Sequence, residues 1–244
     1  MRTNGPKLLD EKVAIVTGAN DGIGKGIAQA FASEGAKVVL AARNVQRLNA
    51  VAEAIRSQGS SALSVPTDVS HEAEVIALFQ TTVREFGRLD ILVNNAGIAH
   101  QAPLEQTSLE MWQKTLDVNL TGAFLCTREA VKIMKPQRTG RVINIGSISV
   151  QMPRPNFAAY SCSKAGLVSL TKTTALIGRD YGIAAGCIHP GNTNTAQMAE
   201  TPDEPAMEVT DLVKAVMAMA TLPPNVNMLE TIVLPVTQLY LGRG

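Results

Sequence analysis

The sequence alternates between two hydrophobic periods along nearly its whole length, and this alternation restricts the fold more than any other feature. Short runs rich in Val, Ile, Leu and Ala are separated by longer stretches in which apolar residues recur at helical spacing. This pattern is typical of βαβ units, in which each strand is followed by a helix that packs on a parallel sheet. The predicted strands are 12–16, 37–41, 61–65, 91–94, 141–145, 184–188 and 230–234, and the predicted helices lie near 22–34, 46–57, 71–86, 107–135 and 158–180, with a break in the fourth helix near Asp117.

The chain has the length and composition of one compact domain. Its 244 residues are 45% hydrophobic and 18% charged, which provides enough apolar surface for a core and excludes the disordered and disulfide-scaffold classes. No linker rich in Pro, Gly or Ser and no repeat divides the chain. We therefore expect residues 1–244 to form a single domain, with a mobile loop between 196 and 209, where polar, acidic and Pro residues are frequent.

The balance of charges and the cysteine count exclude several kinds of partner. Twenty-two basic and 21 acidic residues leave a net charge of +1, so no strong field draws the chain to nucleic acid or anionic lipid. No segment resembles a membrane span or a secretory signal. The three cysteines, Cys126, Cys162 and Cys187, have unrelated spacings and are expected to be small buried residues, and the histidines lack metal-ligand spacing. We expect a cytoplasmic protein that acts on a small molecule, with no metal, nucleic acid or membrane as a partner.

A glycine-rich turn follows the first predicted strand and opens the first predicted helix, with the pattern Gly-x-x-x-Gly-x-Gly. Glycine permits positive φ angles in such a turn and removes the Cβ atoms where backbone approaches a pyrophosphate at a helix N-terminus. Glycine turns also serve tight packing, and the pattern favours dinucleotide binding over that alternative. The predicted phosphate-binding residues are Gly18, Asn20, Asp21, Gly22, Ile23 and Gly24.

The end of the second predicted strand bears on the choice of dinucleotide. Dinucleotide-binding folds read the adenosine ribose about 20 residues after the glycines, with a carboxylate for NAD or an arginine for the 2′-phosphate of NADP. Here the sequence Ala41-Ala42-Arg43-Asn44 offers an arginine and no acid. As an alternative, Arg43 is a solvated residue at the start of the next helix, and Asp21 places a carboxylate near the same phosphate. The pattern favours NADP(H) over NAD(H).

Further motifs follow the turn from Thr17 to Gly24, and they are Asp68-Val69, Asn94-Asn95-Ala96-Gly97, Asn119, Ser147, Tyr160-x-x-x-Lys164 and Pro190-Gly191. In their order and spacing, these motifs resemble the short-chain dehydrogenase/reductase family. The body of the chain is similar to 3-oxoacyl reductases. Its ending, from Leu229 to Gln238, resembles the 3-hydroxy acid dehydrogenase branch and lacks the Val-Asp-Gly-Gly ending of many members.

The resemblance implies a fold, an assembly and roles for individual residues. The implied fold is α/β, a single-domain Rossmann fold with a doubly wound, seven-stranded parallel sheet, helices on both faces and a substrate lid at about 195–210. Relatives usually form homotetramers, with a homodimer as the alternative. Asp68 would contact the adenine ring, although it could instead cap the next helix. The other implied cofactor contacts are Val69, Asn95, Ala96, Gly97, Tyr160, Lys164, Pro190, Gly191, Thr193 and Thr195.

The spacing of Tyr160 and Lys164, four residues apart in a helical stretch, places both side chains on one helix face. A free phenol has a pKa of about 10, and an ammonium group about 5 Å away stabilises the phenolate by roughly 3 kcal/mol at an effective dielectric constant near 20. Tyr160 is therefore the predicted proton donor in a reduction. Ser147, which follows the fifth strand, would donate to the substrate oxygen. By resemblance, Asn119 would hold a water that relays protons to Lys164, which completes the predicted catalytic set.

These features predict an NADP(H)-dependent enzyme that interconverts a ketone and a secondary alcohol by hydride transfer, with Tyr160 as general acid and base. Two alternatives stay open. An epimerase or dehydratase with a retained cofactor would share the glycine turn and the tyrosine, and a sensor of nicotinamide redox state would need no catalysis. Net turnover of NADPH separates the first prediction from both.

Overall fold

A computed structural model describes residues 7–195 and 204–239 and shows a seven-stranded sheet. In space the strands follow the order β3-β2-β1-β4-β5-β6-β7, and every adjacent pair is parallel. The predicted fold class is confirmed. The first and last residues of each strand lie within two residues of the predicted bounds. The strands, numbered in chain order, are β1 Val13–Thr17, β2 Lys37–Ala42, β3 Ala62–Pro66, β4 Ile91–Asn94, β5 Gly140–Ile145, β6 Ile183–Pro190 and β7 Glu230–Val233.

Helices cover both faces of the sheet. The break predicted near Asp117 is confirmed as a π-helical segment, Asp117–Thr121. The last helix is missing from the sequence-based prediction, which placed a loop up to residue 209; residues 196–203 of that loop lie outside the described part of the chain. The helices are α1 Gly22–Ser33, α2 Val45–Arg56, α3 Glu72–Phe86, α4 Leu109–Leu116, α5 Gly122–Gln137, α6 Ala158–Gly178 and α7 Val209–Ala220.

The strands read as nearly continuous apolar runs because both faces of the sheet are buried. In β1, Val13 and Ile15 point into one cluster of core side chains, while Ala14 and Val16 point into the other. The first of these clusters is completed by α3 and α5, and the second by α1, α2 and α7. Within residues 7–195 and 204–239, no helix combines the length and apolar character that crossing a membrane requires.

The strand order creates a crevice at one edge of the sheet. β1 pairs with β2 on one side and with β4 on the other, so the order of the strands reverses at this point. In doubly wound sheets, ligands bind beyond the carboxyl ends of the strands at such a reversal. The segments that follow β1, β2, β4 and β5 all reach this edge.

A buried carboxylate joins the opposite, amino ends of β1 and β4. Asp90 accepts a hydrogen bond from the backbone N–H of Val13 at 2.9 Å. The guanidinium group of Arg88 donates to both oxygens of the same carboxylate, at 2.9 and 2.6 Å, and the ammonium of Lys12 lies 3.6 Å away. This bidentate arrangement is among the stronger kinds of protein hydrogen bond.

We expect Asp90→Ala to lower the free energy of unfolding by about 2 to 4 kcal/mol, because it leaves a buried N–H without an acceptor and removes the bidentate pair. Asp90→Asn retains an acceptor for Val13 and should lose less. Urea unfolding at one fixed protein concentration measures both changes. An alanine variant as stable as the wild type would contradict this role of Asp90.

Candidate active site

Side-chain hydrogen bonds join the carboxyl ends of β1 and β4. The Oγ1 atom of Thr17 accepts from the backbone N–H of Asn95 at 3.0 Å and from that of Ala96 at 3.1 Å. The Nδ2 atom of Asn95 donates to the carbonyl oxygens of Thr17, at 2.9 Å, and Gly18, at 3.3 Å. Gly18 has a φ of +65°, and a Cβ atom there would lie 2.8 Å from Asn95 Nδ2. Backbone conformation and space therefore both require glycine at this position.

The glycine turn places the N-terminus of α1 at this edge. Asp21 is the N-cap residue, and its Oδ1 atom accepts from the backbone N–H of Gly22 at 2.8 Å. The N–H groups of a first helical turn have no intrahelical acceptor, which makes this end attractive to a phosphate. Gly24 packs so closely on Gly18 that a Cβ atom would overlap its carbonyl group, and the methyl group of Thr195 would touch a Cβ at Gly22, 3.4 Å away.

An open cleft lies beside this turn. Its position beyond the strand ends, its glycine cradle and the helix terminus together fit the phosphates and adenosine of a dinucleotide. The residues that line it are Gly18, Asn20, Ala41, Ala42, Arg43, Thr67, Asp68, Val69, Ala96, Gly97, Ile98 and Val118.

The carboxylate of Asp68 is held at the wall of the cleft. Its Oδ1 atom accepts from the backbone N–H of Ser70 at 3.0 Å and from the Ser70 hydroxyl at 2.7 Å, and Arg43 lies 3.9 Å from its Oδ2 atom. Burial opposes the ionisation of Asp68, but the bonds from Ser70 and the charge of Arg43 outweigh it, so the pKa of Asp68 lies below its ordinary value. The N-cap of α3 is His71, without a side-chain cap bond, so neither Asp68 nor Ser70 is the N-cap residue.

A second arginine, Arg47, reaches the glycine turn and was missed in the sequence. Its guanidinium group lies 3.2 Å from the Asp21 carboxylate. Arg47 stands one helical turn after Arg43, in the first turn of α2, whose N-cap is Asn44. The spacing of four residues between the two arginines could therefore have indicated that both lie near the glycine turn.

The π-helical segment between α4 and α5 positions Asn119. Its side chain bonds to both backbone groups of Ile98, accepting from the N–H at 2.8 Å and donating to the carbonyl oxygen at 2.9 Å. The Nδ2 atom also donates to the hydroxyl of Ser163, at 3.1 Å, and that hydroxyl donates to the carbonyl oxygen of Tyr160 at 2.6 Å. Asn119 therefore connects the segment after β4 to the first turns of α6.

A buried ammonium group lies between β5 and Tyr160. The Nζ atom of Lys164 donates to the carbonyl oxygen of Ile145 at 2.8 Å and lies 5.6 Å from the centre of the Tyr160 ring. A Cβ atom at Gly97 would lie 3.4 Å from Asn119 Oδ1 and 3.6 Å from Lys164 Nζ, so these groups converge on one point. Burying a charge is costly, which makes such an ammonium a strong candidate for a functional group.

Ser147 stands directly beyond β5, two residues after Ile145. Its Oγ atom accepts from the backbone N–H of Ser149 and lies 3.1 Å from the Ser149 hydroxyl. Its backbone faces His189 of β6, whose Nδ1 atom lies 3.2 Å from the N–H nitrogen and 2.9 Å from the carbonyl oxygen of Ser147. The sequence analysis assessed His189 only for metal-ligand spacing, which it lacks, and missed this contact. Its position directly before Pro190-Gly191 could have indicated that it lies at the site.

The segment after β6 closes the other side of the site. Thr193 donates from Oγ1 to the carbonyl oxygen of Gly191 at 3.1 Å and pairs with Met207 in an isolated β-bridge. Arg154, from the segment between Ser147 and Tyr160, donates to the Asn192 side chain at 3.1 Å and to Glu204 at 2.6 Å.

The structure thus divides the predicted site residues between two places. The predicted cofactor contacts that line the cleft are Gly18, Asn20, Arg43, Asp68, Val69, Ala96 and Gly97. Gly22 and Gly24 lie in the glycine turn beside the cleft, and Ile23 packs against the core. Ser147 follows β5, and Lys164 of α6 reaches the end of the same strand with the Tyr160 ring beside it. Asn119 bonds to the segment after β4. Pro190, Gly191 and Thr193 lie at the end of β6 and directly after it.

The cysteines only partly match the sequence expectation. Cys126 and Cys187 are buried, and burial raises the pKa of each thiol to about 12. Cys162 is exposed, contrary to prediction, because it lies on the outer face of α6 between Tyr160 and Lys164. In the described part of the chain, no three His, Cys, Asp or Glu side chains form a group that could hold a metal ion.

Similarity to known proteins identifies the family. Residues 12–206 match the family model described as short chain dehydrogenase. The chain is 40% identical over 207 residues to a 3-oxoacyl-[acyl-carrier-protein] reductase of Synechocystis sp., with 84% of each protein covered. It is 41% identical over 201 residues to glucose 1-dehydrogenase 2 of Bacillus subtilis, which covers 81% of this chain and 78% of that relative.

The fold is also similar to that of a solved structure, a metagenomic short-chain oxidoreductase in complex with NADP. The TM-score is 0.85 at 33% sequence identity, with 95% of this chain and 100% of the other covered. The resemblance drawn from the sequence motifs is confirmed. The chain belongs to the short-chain dehydrogenase family and is an NAD(P)-dependent oxidoreductase that acts on CH–OH groups.

Proposed function

We propose that this protein is an NADP(H)-dependent oxidoreductase that interconverts a ketone and a secondary alcohol. The observation that carries the proposal is the buried ammonium of Lys164, 5.6 Å from the Tyr160 ring, at the sheet edge where the cleft opens. Two relatives support it by name, one as a reductase of an oxo group and the other as a dehydrogenase of a sugar.

Residues along the edge of the sheet would hold the dinucleotide. The glycine turn and the N-terminus of α1 would bind the pyrophosphate, and Asp68 and Val69 the adenine ring. Lys164 would bond the nicotinamide ribose. When bound, the cofactor donates or accepts a hydride at its nicotinamide ring. The remaining cofactor contacts of this proposal are Asn95, Ala96, Gly97, Tyr160, Pro190, Gly191, Thr193 and Thr195.

In the reductive direction Tyr160 donates its phenolic proton to the substrate oxygen, and in oxidation it takes that proton back. The Lys164 ammonium stabilises the phenolate left behind, because the charges are opposite and the ammonium itself is buried. The Ser147 hydroxyl exchanges its bond to Ser149 for one to the substrate oxygen and stabilises the charge that develops there.

Asn119 acts by position in this proposal. Its side chain is engaged by Ile98 and Ser163. A water that relays protons to Lys164 would therefore bind to the backbone carbonyl of Asn119, in the π-helical segment where the regular helical bonding pattern is interrupted.

Tyr160→Phe should lower kcat by about 10²- to 10⁴-fold, the usual contribution of a general acid, and leave NADPH affinity close to that of the wild type. Absorbance of reduced nicotinamide measures turnover, and fluorescence titration measures binding. Tyr181→Phe is the matched control, because the Tyr181 ring packs beside Lys135 at 4.6 Å, away from the cleft. Full activity in the Tyr160 variant would refute the assignment.

The same assay separates the alternatives. An epimerase or a dehydratase with a retained cofactor would convert substrate without net oxidation of NADPH, and a redox sensor would bind NADPH without converting any substrate. A panel of a ketone, a β-keto ester and a hydroxy acid, run with each cofactor, distinguishes 3-oxoacyl reductase-like from 3-hydroxy acid dehydrogenase-like specificity.

Arg43 supports the preference for NADP(H). It lines the cleft, is 59% exposed and lies 3.9 Å from Asp68, so it can contact a phosphate without giving up a short hydrogen bond. Arg47 lies 3.2 Å from the Asp21 carboxylate, and its charge offsets part of the repulsion between that carboxylate and a phosphate.

Arg43→Asp should reverse the cofactor preference, because a charge-assisted contact worth roughly 1.5 to 3 kcal/mol corresponds to about 10- to 150-fold in affinity. The ratio of kcat/KM for NADPH and NADH measures the change. Arg84→Asp, on the exposed side of α3, makes the same charge change outside the lining of the cleft and should keep the original ratio. An unaltered ratio in the Arg43 variant would remove Arg43 from the site.

We also propose that the chain forms a homotetramer or a homodimer through α5 and α6. Phe124 on α5 is 46% exposed, and Leu176 and Ile177 on α6 are 62% and 49% exposed. Gly166 of α6 instead packs inside the subunit, since a Cβ atom there would lie 2.7 Å from Leu120.

The double variant Leu176→Asp, Ile177→Asp should shift the sedimentation mass toward the 25.9 kDa of one chain, because charges would replace apolar side chains at the interface. Val83→Asp, at an exposed apolar position on α3, is the control. A wild-type protein that sediments as a monomer would refute this assembly.

Two further expectations stay proposals: a lid at about 195–210, and a cytoplasmic location.

A further inference from the structure

His189 is fully buried at the carboxyl end of β6, beside the predicted catalytic serine. Its Nδ1 atom lies 3.2 Å from the backbone nitrogen of Ser147 and 2.9 Å from the carbonyl oxygen of the same residue. Both polar groups of the Ser147 backbone therefore meet a single ring nitrogen. The mechanism proposed above gives His189 no role.

The chain leaves space for this ring. Gly146, directly before Ser147, would carry a Cβ atom 2.6 Å from Nδ1 and 2.8 Å from Cε1 of His189. Any other residue at position 146 would push the imidazole away from the Ser147 backbone. The contact thus depends on a glycine directly after β5 and a histidine on β6, the adjoining strand.

The outer side of the ring faces a carboxylate. The Nε2 atom lies 3.2 Å from Oε1 of Glu230 on β7, an approach that lacks the alignment of a full hydrogen bond. Glu230 also accepts from the side chain of Gln151 at 3.4 Å and pairs with Lys172 of α6 at 3.2 Å. The ring therefore lies between the Ser147 backbone and an anchored carboxylate.

Burial lowers the pKa of His189 below its ordinary value, and the charge of Lys164 acts in the same direction, while the Ser147 carbonyl group and Glu230 act against them. The ring is neutral at neutral pH and carries one N–H. With the proton on Nδ1 it donates to the Ser147 carbonyl oxygen, and with the proton on Nε2 its Nδ1 accepts from the Ser147 N–H. Either tautomer retains a bond to the Ser147 backbone.

We propose that His189 is a positioning residue that holds the Ser147 backbone in place for the reaction, and that Glu230 fixes the orientation of the imidazole ring. The proposal rests on the function proposed above, in which the Ser147 hydroxyl bonds the substrate oxygen. His189 touches neither substrate nor cofactor in this role and acts only through Ser147.

A double-mutant cycle between His189 and Ser147 tests the proposal. We expect His189→Leu alone to lower kcat by roughly 10- to 100-fold, because a small displacement of a catalytic group costs that much. Ser147→Ala alone should cost about 10²- to 10³-fold. Added to Ser147→Ala, the leucine substitution should have almost no further effect, since residues that act as a unit are not additive. Fully additive losses would overturn the proposal.

Two variants separate positioning from a general loss of stability. His189→Asn keeps donor and acceptor atoms near the position of Nδ1 and should restore kcat to within about threefold of the wild type. Leu78→Ala, in the core cluster between the sheet and α3, should lower the melting temperature and leave kcat unchanged well below that temperature. An asparagine variant as impaired as the leucine variant would count against the proposal.

The amide ¹H–¹⁵N signal of Ser147 in the full-length protein provides a readout that needs no turnover. It should shift in His189→Leu, shift less in Glu230→Gln and stay near its wild-type position in His189→Asn. A signal unmoved by His189→Leu would overturn the contact itself. A wild-type protein that oxidises no NADPH with any substrate would instead refute the proposed function, and the amide signal would still report the contact.

Discussion

The hydrogen bonds between Thr17 and Asn95 are the interaction on which the site depends. They join the ends of β1 and β4, the two strands between which the order of the sheet reverses, and hold the glycine turn against the segment that follows β4. Because the Asn95 amide occupies the space beside Gly18, the turn can adopt only the path that glycine allows. Asn119 then fastens the next residues of the same segment through both backbone groups of Ile98. The backbone of the segment after β4, which forms one side of the cleft, is therefore held by the side chains of Thr17 and Asn119.

The buried ammonium of Lys164 carries a cost in stability at this edge. A charge inside a protein must be compensated, and here the carbonyl oxygen of Ile145 and the face of the Tyr160 ring surround it. The same surroundings make the site suited to stabilising a phenolate, because a low dielectric strengthens the attraction between opposite charges. The proposed chemistry would use this buried charge.

Much of this could be predicted from the sequence, because strands buried on both faces and helices buried on one leave strong periodic signals. The glycine turn and the break at Asp117 were also found, since each has a local cause. Long-range contacts were not found: Arg47 reaches Asp21, and His189 reaches Ser147, only once the strands are side by side. Helix α7 was missed because its first residues follow an acidic, proline-containing stretch that reads as a loop. Cys162 was wrongly predicted to be buried. It lies on the face of α6 that is turned away from the site and toward solvent.

The π-helical segment also limits how the chain can vary in length. It accommodates one more residue than a regular helix would between α4 and α5, and each residue of an α-helix turns the chain by about 100°. Deleting a single residue from Asp117–Thr121 would remove that extra residue and restore regular winding, with α4 and α5 close to their present relative orientation. Asn119 would then lose the widened turn that places its side chain against Ile98, while Leu125 and Cys126 would stay in the core. Insertions and deletions should be far less tolerated here than in the surface loops, even though the segment carries little sequence that looks distinctive.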